Sequence, residues 1–416
     1  MNSFQTIKII ALFEMKTLLR SWFFRIFAGL FIIGLGIFNI AVFVESSGAP
    51  WLYRALPAAI PYANLIILNL GQAIVAVFLA SEFLKQDRKN DTVEVIYARS
   101  MTNGQYIFGK TLGILSVFII LNFIILILGI GFSFLSEDAS KGIWEFFLYP
   151  LLISIPTLVF ILGLSFFLMT IIKNQAITFI ILLGYIALTI FYLNDKFYHL
   201  FDYIAYKVPM MHSTIAGFGN ISEIIIHRSI YLLVGIGLIF FTVFKLNRLP
   251  QSKTFSYLPI VFTLLFVGAG VFLGYHYINL KKDNIYQKKQ LIALNNEYSN
   301  YPKVYVTDSD IALEHKEDMI SVKASLNVVN KNEIQLDTLI FSLNPDLEVS
   351  KISIENKEVG FARDLHLVKI ACNNSIKPND KLSIEFNYQG KINENTHFLD
   401  ISLNDYEDNF PMEMFR

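Results

Sequence analysis

The stretch YIFGKTLGILSVFIILNFIILILGIGFSFL, at residues 106–135, contains Lys110 as its only charged side chain. A helix rises 1.5 Å per residue, so roughly 20 apolar residues cross the ~30 Å hydrocarbon layer of a bilayer. The quoted stretch exceeds that length. It therefore predicts a helix that crosses a lipid bilayer.

Similar apolar runs occupy most of the chain before residue 280. The composition is 54% hydrophobic and 16% charged, with a mean hydropathy of +0.50, which departs strongly from an average soluble domain. Seven runs have the length of a span: residues 22–44, 58–84, 106–135, 146–172, 176–193, 229–246 and 255–278. The fold class predicted from them is a polytopic α-helical membrane protein with about seven spans.

Lysine and arginine in the connecting segments predict the orientation, because cytoplasmic loops carry an excess of them. With the N terminus inside, 13 lie inside: Lys8, Lys16, Arg20, Arg25, Lys85, Arg88, Lys89, Arg99, Lys110, Lys173, Lys245, Arg248 and Lys253. Only 5 lie outside: Arg54, Lys141, Lys196, Lys207 and Arg228. An odd number of spans then places residues 281–416 outside the cytoplasm.

The pattern changes after the last apolar run. Ile320, Val322, Ala324, Leu326 and Val328 alternate with polar residues, as on one face of a strand. Further strands are predicted at 336–343, 347–354, 365–371 and 381–388, separated by turn residues, which is typical of an antiparallel sandwich. The predicted organisation is an amphipathic N-terminal helix (1–21), a membrane domain (22–278), a helical linker (279–302) and a β domain (303–416).

One motif resembles a phosphate-binding loop. Residues 104–111, GQYIFGKT, match G-x-x-x-x-G-K-[ST], but such a loop needs a preceding strand in a soluble α/β sheet. Here an apolar span follows and bulky side chains fill the middle positions. We therefore expect a membrane helix with Lys110 at its inner edge, and no nucleotide bound by this chain.

Catalytic and metal-binding signatures are weak. No two of the seven histidines are four residues apart, so the H-E-x-x-H zinc pattern is missing, and Cys372 is the single cysteine. The net charge of +0 provides no basic surface for nucleic acid. We expect no catalytic, metal or cofactor site in this chain.

Amide side chains are the polar residues that the predicted spans contain. Asn39, Asn64, Asn69, Gln72 and Asn122 lie within them, whereas no charged residue is expected at mid-span. Such amides commonly form hydrogen bonds between helices, and a role along a transport path is the alternative. The aromatic segment 194–228 is expected at the outer surface, either as a short interfacial helix or as an ordered loop.

Over residues 1–250 the arrangement resembles the ABC-2 type exporter permeases. The resemblance is carried by LLRS at 18–21 before the first span, and by DTVEVIYARS at 91–100 followed by YIFGK at 106–110. It implies that the loop between the second and third spans contacts an ATPase through Asp91, Val93, Glu94, Ile96, Tyr97 and Arg99. The outer segment between the fifth and sixth spans is similar to the extracytoplasmic helices of that family.

Residues 305–401 resemble the N-terminal β domain of aminopeptidase N-like zinc peptidases. The similar stretches are 321–330, LIFSLN at 339–344, LEVSKISI at 347–354 and KLSIEFNYQG at 381–390. Permeases fused to such a domain occur in bacteria. Because the sequence ends at Arg416 before any catalytic domain, peptidase activity is not implied, and we expect a shortened or partial version of that fusion.

The joint resemblance implies a bacterial cytoplasmic-membrane permease subunit that exports an unidentified substrate. Its partners would be ABC ATPase subunits that bind the ATP, a second identical or related permease half, and the lipid bilayer. The alternative is a membrane-anchored extracytoplasmic binding or scaffold protein without transport activity. Seven spans exceed what an anchor requires.

Overall fold

The computed structural model describes residues 3–44, 58–81, 101–135, 143–193, 196–212, 218, 221–246, 257–316, 319–393, 396 and 398–402. The chain divides into two compact units, with the boundary between Leu280 and Lys281. The first unit is helical and the second is rich in β-strands.

The described helices are α1 Ser3–Arg20, α2 Trp22–Asn39, α3 Ala59–Ser81, α4 Asn103–Leu135, α5 Trp144–Tyr149, α6 Ile155–Ile172, α7 Gln175–Leu188, α8 Ile221–Lys245 and α9 Leu258–Glu297. Single π-helical turns follow α2, α5 and α7, at Ile40–Val44, Pro150–Ser154 and Thr189–Leu193. With these turns included, 7 helical stretches are long and apolar enough to cross a membrane. The predicted fold class is therefore confirmed, and the chain is a multi-pass membrane protein.

Two boundaries differ from those predicted. Helix α8 begins at Ile221 and not at residue 229, so Arg228 belongs to a span and not to an outer loop. Helix α9 continues to Glu297 without a break. Most of the segment predicted as a separate helical linker, residues 279–302, is therefore the C-terminal part of the last helix.

Helix α1 packs along α4, and two glycines of α4 allow the close approach. A Cβ at Gly109 would collide with Ile10, and one at Gly113 would collide with the backbone of Ala11 and with Glu14. At this contact, Lys110 Nζ lies 3.5 Å from Glu14 Oε2, and both side chains are buried. The GQYIFGKT motif is therefore helical from Gly104 onward and forms a helix–helix contact, as its apolar context predicts.

Helices α6 and α8 also approach at backbone distance. Gly163 faces Gly235, and a Cβ at either position would overlap the backbone of the other helix. Gly270 of α9 similarly faces Val234 of α8, whereas Leu200 is the only described residue with an atom within 4 Å of a Cβ placed on Gly274. Helix α9 therefore packs closely against α8 at Gly270. Small residues let these helices approach because no Cβ separates them.

The second unit contains eight described strands: β1 Tyr305–Lys316, β2 Met319–Val329, β3 Leu336–Ser342, β4 Leu347–Ile354, β5 Lys357–Glu358, β6 Phe361–Asp364, β7 Leu367–Ile376 and β8 Lys381–Gly390. They form a sheet of order β1-β2-β8-β4-β5 and a sheet of order β3-β7-β6. Every strand pair is antiparallel. The predicted strands are present, and β1, β5 and β6 are additional to them.

The core of the β unit lies between the two sheets. Val322 and Ala324 of β2, Ile384 of β8 and Ile370 of β7 are buried in one cluster. The alternation that predicted β2 is confirmed by Val322, Ala324 and Val328, which face this core.

Candidate functional site

Residues 196–212 connect the fifth and sixth spans by turns, without a helix among them. Phe197, Tyr198, His199 and Ala205 have positive φ, which breaks any regular hydrogen-bond ladder. The interfacial helix that the sequence allowed is thus absent from these residues, and the ordered-loop alternative is correct here. Asp202, Tyr203, Ile204, Ala205, Val208 and Met210 are buried, whereas Lys196, Phe197, Phe201 and Tyr206 are exposed, so the segment is packed inside protein in part and reaches the surface elsewhere.

Side chains of the surrounding helices bind the carbonyl groups of this segment. Turns within the segment satisfy some of its carbonyls, such as those of Phe197 and Phe201, and the other buried carbonyls need partners because water is scarce inside a membrane protein. The acceptor carbonyls and their partners are Tyr198 (Tyr277 Oη, 2.9 Å), His199 (His227 Nε2, 3.0 Å), Leu200 (Tyr231 Oη), Tyr203 (Thr157 Oγ1, 2.8 Å, and Arg228 Nη1, 3.0 Å), Ile204 (Asn69 Nδ2, 2.6 Å), Val208 (Tyr62 Oη, 3.5 Å) and Met210 (Tyr149 Oη, 2.8 Å). The segment is therefore held by five helices: α3, α5, α6, α8 and α9.

Arg228 is the centre of this arrangement. Its side chain is 2% exposed and donates through Nε to the Leu152 carbonyl at 2.7 Å and through Nη1 to the Tyr203 carbonyl at 3.0 Å. Its Nη2 donates to the Ile153 carbonyl at 3.0 Å and to Thr157 Oγ1 at 2.8 Å. One guanidinium thus joins α8, the fourth span and the 196–212 segment.

Two prolines explain why the fourth span has backbone carbonyls that can accept hydrogen bonds from side chains. Pro156 has no N–H, so it cannot donate to the Leu152 carbonyl four residues before it. Pro150 begins a π-helical turn that ends at Ser154, immediately before α6. Interruptions of this kind leave backbone acceptors available, and π turns are frequent at functional sites. The Arg228 guanidinium occupies those acceptors.

The predicted amides extend the network to α3 and α4. Asn69 Nδ2 donates to Thr157 Oγ1 at 3.0 Å, and Gln72 Nε2 donates to Asn69 Oδ1 at 2.7 Å. Asn122 Nδ2 donates to Gln72 Oε1 at 2.9 Å, while Ser154 Oγ donates to Asn122 Oδ1 at 2.6 Å. Five side chains therefore form one chain of hydrogen bonds, and the predicted bonding between helices is present.

Asn64 lies apart from that chain. It is paired with Asn39 of α2, with Nδ2 to Oδ1 distances of 2.7 and 3.1 Å in the two directions. The structure therefore brings Asn69, Gln72 and Asn122 together and gives Asn64 a separate partner between α2 and α3.

Asp202 is the acidic residue of the 196–212 segment. Its Oδ2 accepts the backbone N–H of Lys207 at 2.7 Å. Burial raises the pKa of Asp202, although the backbone N–H groups of Lys207 and Tyr206 and the positive charge of Arg228 oppose that rise. The carboxyl group and Arg228 therefore act on each other electrostatically inside the protein.

Glu145 and His212 form a further contact between the fourth span and the segment. Glu145 Oε1 lies 3.1 Å from His212 Nδ1, and the backbone N–H of His212 donates to Tyr149 Oη at 3.0 Å. These two contacts hold His212, the last residue of the segment, against α5. The sequence showed no metal spacing for this histidine, and within the described ranges no group of three His, Cys, Asp or Glu is placed to hold a metal ion.

The residues expected to contact an ATPase lie outside the described ranges. These are Asp91, Val93, Glu94, Ile96, Tyr97 and Arg99, in the loop between α3 and α4. Sequence reasoning placed Arg228 in an outer loop and so missed it as a site residue. Its position one residue before an apolar run was the available signal.

Comparison with known proteins gives limited similarity. No protein-family profile matches this chain, and no curated protein sequence is significantly similar to it. Among solved structures, an M1 zinc metallopeptidase from Deinococcus radiodurans is 17% identical with a TM-score of 0.20, as is a mutant of it bound to a Tyr-Ser-Ala substrate. Each match covers 21% of this chain and 21% of the other. The site is therefore interpreted from this chain's own contacts.

Proposed function

We propose that this chain is a permease subunit of an ABC-type exporter in a bacterial cytoplasmic membrane. Separate ATPase subunits bind ATP, and a second permease half, identical or related, completes the transporter. The substrate is unidentified. The β unit lies on the extracytoplasmic side, as the excess of lysine and arginine in the inner connecting segments predicts.

The observation that carries this proposal is the way in which residues 196–212 are held. Their carbonyls bind side chains of five helices, including the buried guanidinium of Arg228. Side-chain hydrogen bonds to this segment can break and form again with other partners when the helices move. A segment held by covalent bonds or by regular backbone pairing would be released less readily. The segment is suited to close a path between the spans in one state and to open it in another.

A passive anchor does not explain this construction. A charged side chain within a span costs roughly 2.5–3.5 kcal/mol on insertion scales, and intramembrane charges usually mark pathways or moving elements. Apolar spans alone would anchor the β unit at lower cost.

The proposal is tested by affinity purification of the tagged chain from its native bacterium in a mild detergent. An ABC ATPase subunit should co-purify, and the complex should hydrolyse ATP. The charge reversals Glu94→Lys and Arg99→Glu should weaken association by about 1–3 kcal/mol if these side chains are buried against the partner, and by well under 1 if they are solvated.

Glu314→Lys, a charge reversal on the exposed strand β1, is the matched control and should leave ATPase association unchanged. Normal co-purification by both loop variants, or no ATPase in the purified complex, would favour the anchored binding or scaffold protein. Reporter fusions after Lys281 test the orientation independently. Active alkaline phosphatase and a dark cytoplasmic fluorescent protein are expected there.

A further inference from the structure

A groove of about 340 Å³ lies between the first and third spans. Ala28, Gly29 and Ile32 of α2 form one wall, and Ile120 and Ile124 of α4 belong to the other. All ten lining residues are apolar except Arg25, which lies in the first turn of α2. The groove is thus an apolar channel along two membrane helices with one positive charge close to the membrane surface.

Gly29 keeps the groove open. A Cβ placed on Gly29 would have no atom of a described residue within 4 Å, so none of the described side chains fills the space beside the helix. Gly36, further along α2, has an equally open surface but does not line the groove. The groove extends along α2 from Arg25 to Ile32 and along α4 from Val117 to Ile124, which is roughly 10 Å at 1.5 Å per residue. Part of one acyl chain can therefore lie along it.

Arg25 supplies an anion-binding group at the end of this channel. Its Nε donates to the Leu19 carbonyl at 3.0 Å, and its guanidinium lies 5.8 Å from the centre of the Trp22 ring. No hydrogen bond from its Nη groups to any described residue is present, and the side chain is exposed. The fork of the guanidinium is therefore oriented by two contacts and retains donors for a ligand.

Phosphate is the anion that fits these surroundings. A guanidinium one turn inside a span is stabilised by a counter-anion at headgroup depth, and its planar fork binds phosphate through two parallel hydrogen bonds. Basic pockets between membrane helices bind anionic headgroups in this manner. A soluble anion would leave the apolar channel unexplained, whereas a phospholipid accounts for both parts.

We propose that the groove between α2 and α4 binds an anionic phospholipid, with one acyl chain along Gly29 and the phosphate on Arg25. The site does not depend on transport, so it stands or fails separately from the proposed function. With the N terminus in the cytoplasm, the bound lipid belongs to the inner leaflet.

The test uses the purified full chain and native mass spectrometry during titration with phosphatidylglycerol, diacylglycerol, which has the acyl chains without the phosphate, or inorganic phosphate. The wild type should retain phosphatidylglycerol roughly tenfold better than diacylglycerol, since one charge-assisted bidentate contact contributes about that much. Arg25→Gln should abolish this preference, and Arg25→Lys should keep part of it. Inorganic phosphate alone should not displace the lipid.

Gly29→Leu should fill the groove and weaken retention of phosphatidylglycerol roughly tenfold, whereas Gly36→Leu, the matched control, should leave it unchanged. Equal retention of both lipids, or unchanged retention in Arg25→Gln and Gly29→Leu, would show an ordinary annular lipid and overturn the proposal. Displacement by inorganic phosphate would show an anion site without lipid specificity and would overturn it as well.

Discussion

The helical unit and the β unit bury polar side chains in different ways. In the helical unit, the buried side chains of Asn69, Gln72, Asn122 and Arg228 lie between helices. They form hydrogen bonds to each other or to the backbone of residues 196–212. In the β unit the space between the sheets is apolar. The buried polar side chains among its described residues, apart from Lys288 in the helical segment, are Asn330 at the end of β2, Ser353 in β4 and His366 in the turn after β6.

This difference follows from the surroundings, water or lipid, that the side chains of each unit leave on folding. A domain in water gains free energy by removing apolar surface from the solvent. Helices in lipid gain little from apolar contact, because lipid tails are as apolar as leucine, and their association depends on packing and hydrogen bonds. The polar network of the helical unit therefore decides where its irregular segment lies, whereas the apolar core of the β unit supplies stability.

The largest effect is expected from Arg228→Met. The variant removes the guanidinium from the carbonyls of Leu152, Ile153 and Tyr203, and Thr157 Oγ1 remains as a side-chain donor for the last two only. A buried carbonyl left unsatisfied costs about 1–3 kcal/mol, and the hydrogen bonds of a charged donor are stronger than those of a hydroxyl. The free energy of unfolding in mixed micelles should fall by about 3–5 kcal/mol. Hydrogen exchange of residues 196–212 should accelerate.

Lys196→Met is the control, because it removes an exposed cation of the same segment. It should change the free energy of unfolding by less than about 0.5 kcal/mol. If Arg228→Met behaved like this control, the network would not position the segment, and the contrast between the two units would disappear.

Ile352→Ala tests the β unit in the corresponding way. Ile352 is fully buried between the sheets, so truncation removes apolar contacts and leaves a cavity. The loss should be about 2–4 kcal/mol, measured as hydrogen exchange of β4 and β8 in the intact chain. Ile311→Ala on the exposed strand β1 should have little effect, and equal losses at both positions would contradict the placement of the core.

Asn69→Leu is expected to cost about 1 kcal/mol, since single hydrogen bonds between membrane helices average roughly 0.6 and reach about 1.7. It removes the bonds to the Ile204 carbonyl and to Thr157, so exchange in residues 196–212 should also rise. Asn64→Leu breaks the separate pair with Asn39 at a similar cost. It should not affect the segment. An equal rise in both variants would mean that the two amide groups are coupled.

The smallest effect concerns His366, which is 1% exposed and whose two ring nitrogens have no hydrogen-bond partner. Burial, and secondly the charge of Arg363, lower the pKa of His366, while Asp364 opposes this. Below pH ~6.5 the His366 imidazole binds a proton more readily in the unfolded chain than in the folded β unit. The free energy of unfolding of the β unit therefore decreases as pH falls. The slope should stay below about 1.4 kcal/mol per pH unit.

His366→Gln should flatten this pH dependence, whereas His315→Gln on the exposed strand β1 should leave it intact. The measurement is hydrogen exchange of β7 in the intact chain across the pH range. An unchanged slope in His366→Gln would assign the titration to another group.

Several features of the site could be predicted only in part. The amides at Asn69, Gln72 and Asn122 were recognised because polar side chains stand out in apolar runs, but their partners come from other helices and have no sequence signal. Arg228 was placed outside its span because hydropathy changes beside it, whereas helix α8 extends further. The rings of residues 194–206 suggested a membrane interface, yet Tyr203 is fully buried.

Strand β1 shows the same limit in the β unit. Its twelve residues are exposed along the whole strand, so they carry no alternation of apolar and polar side chains. β2 was predicted because one of its faces lies against the core. Alternation of apolar and polar residues arises when one face of a strand is buried. A strand exposed on both faces at the edge of a sheet therefore has no such alternation.

The sequence by itself determined that this chain crosses the membrane about seven times and ends in a β-rich unit. Both follow from local rules, since a span needs a long apolar run and a half-buried strand needs alternation. Only the tertiary structure decided that residues 196–212 enter the helical unit and that Arg228 binds the carbonyls exposed beside Pro150 and Pro156. Those contacts join residues far apart in the chain, and the requirement to satisfy buried polar groups selects the partner by geometry and not by sequence distance.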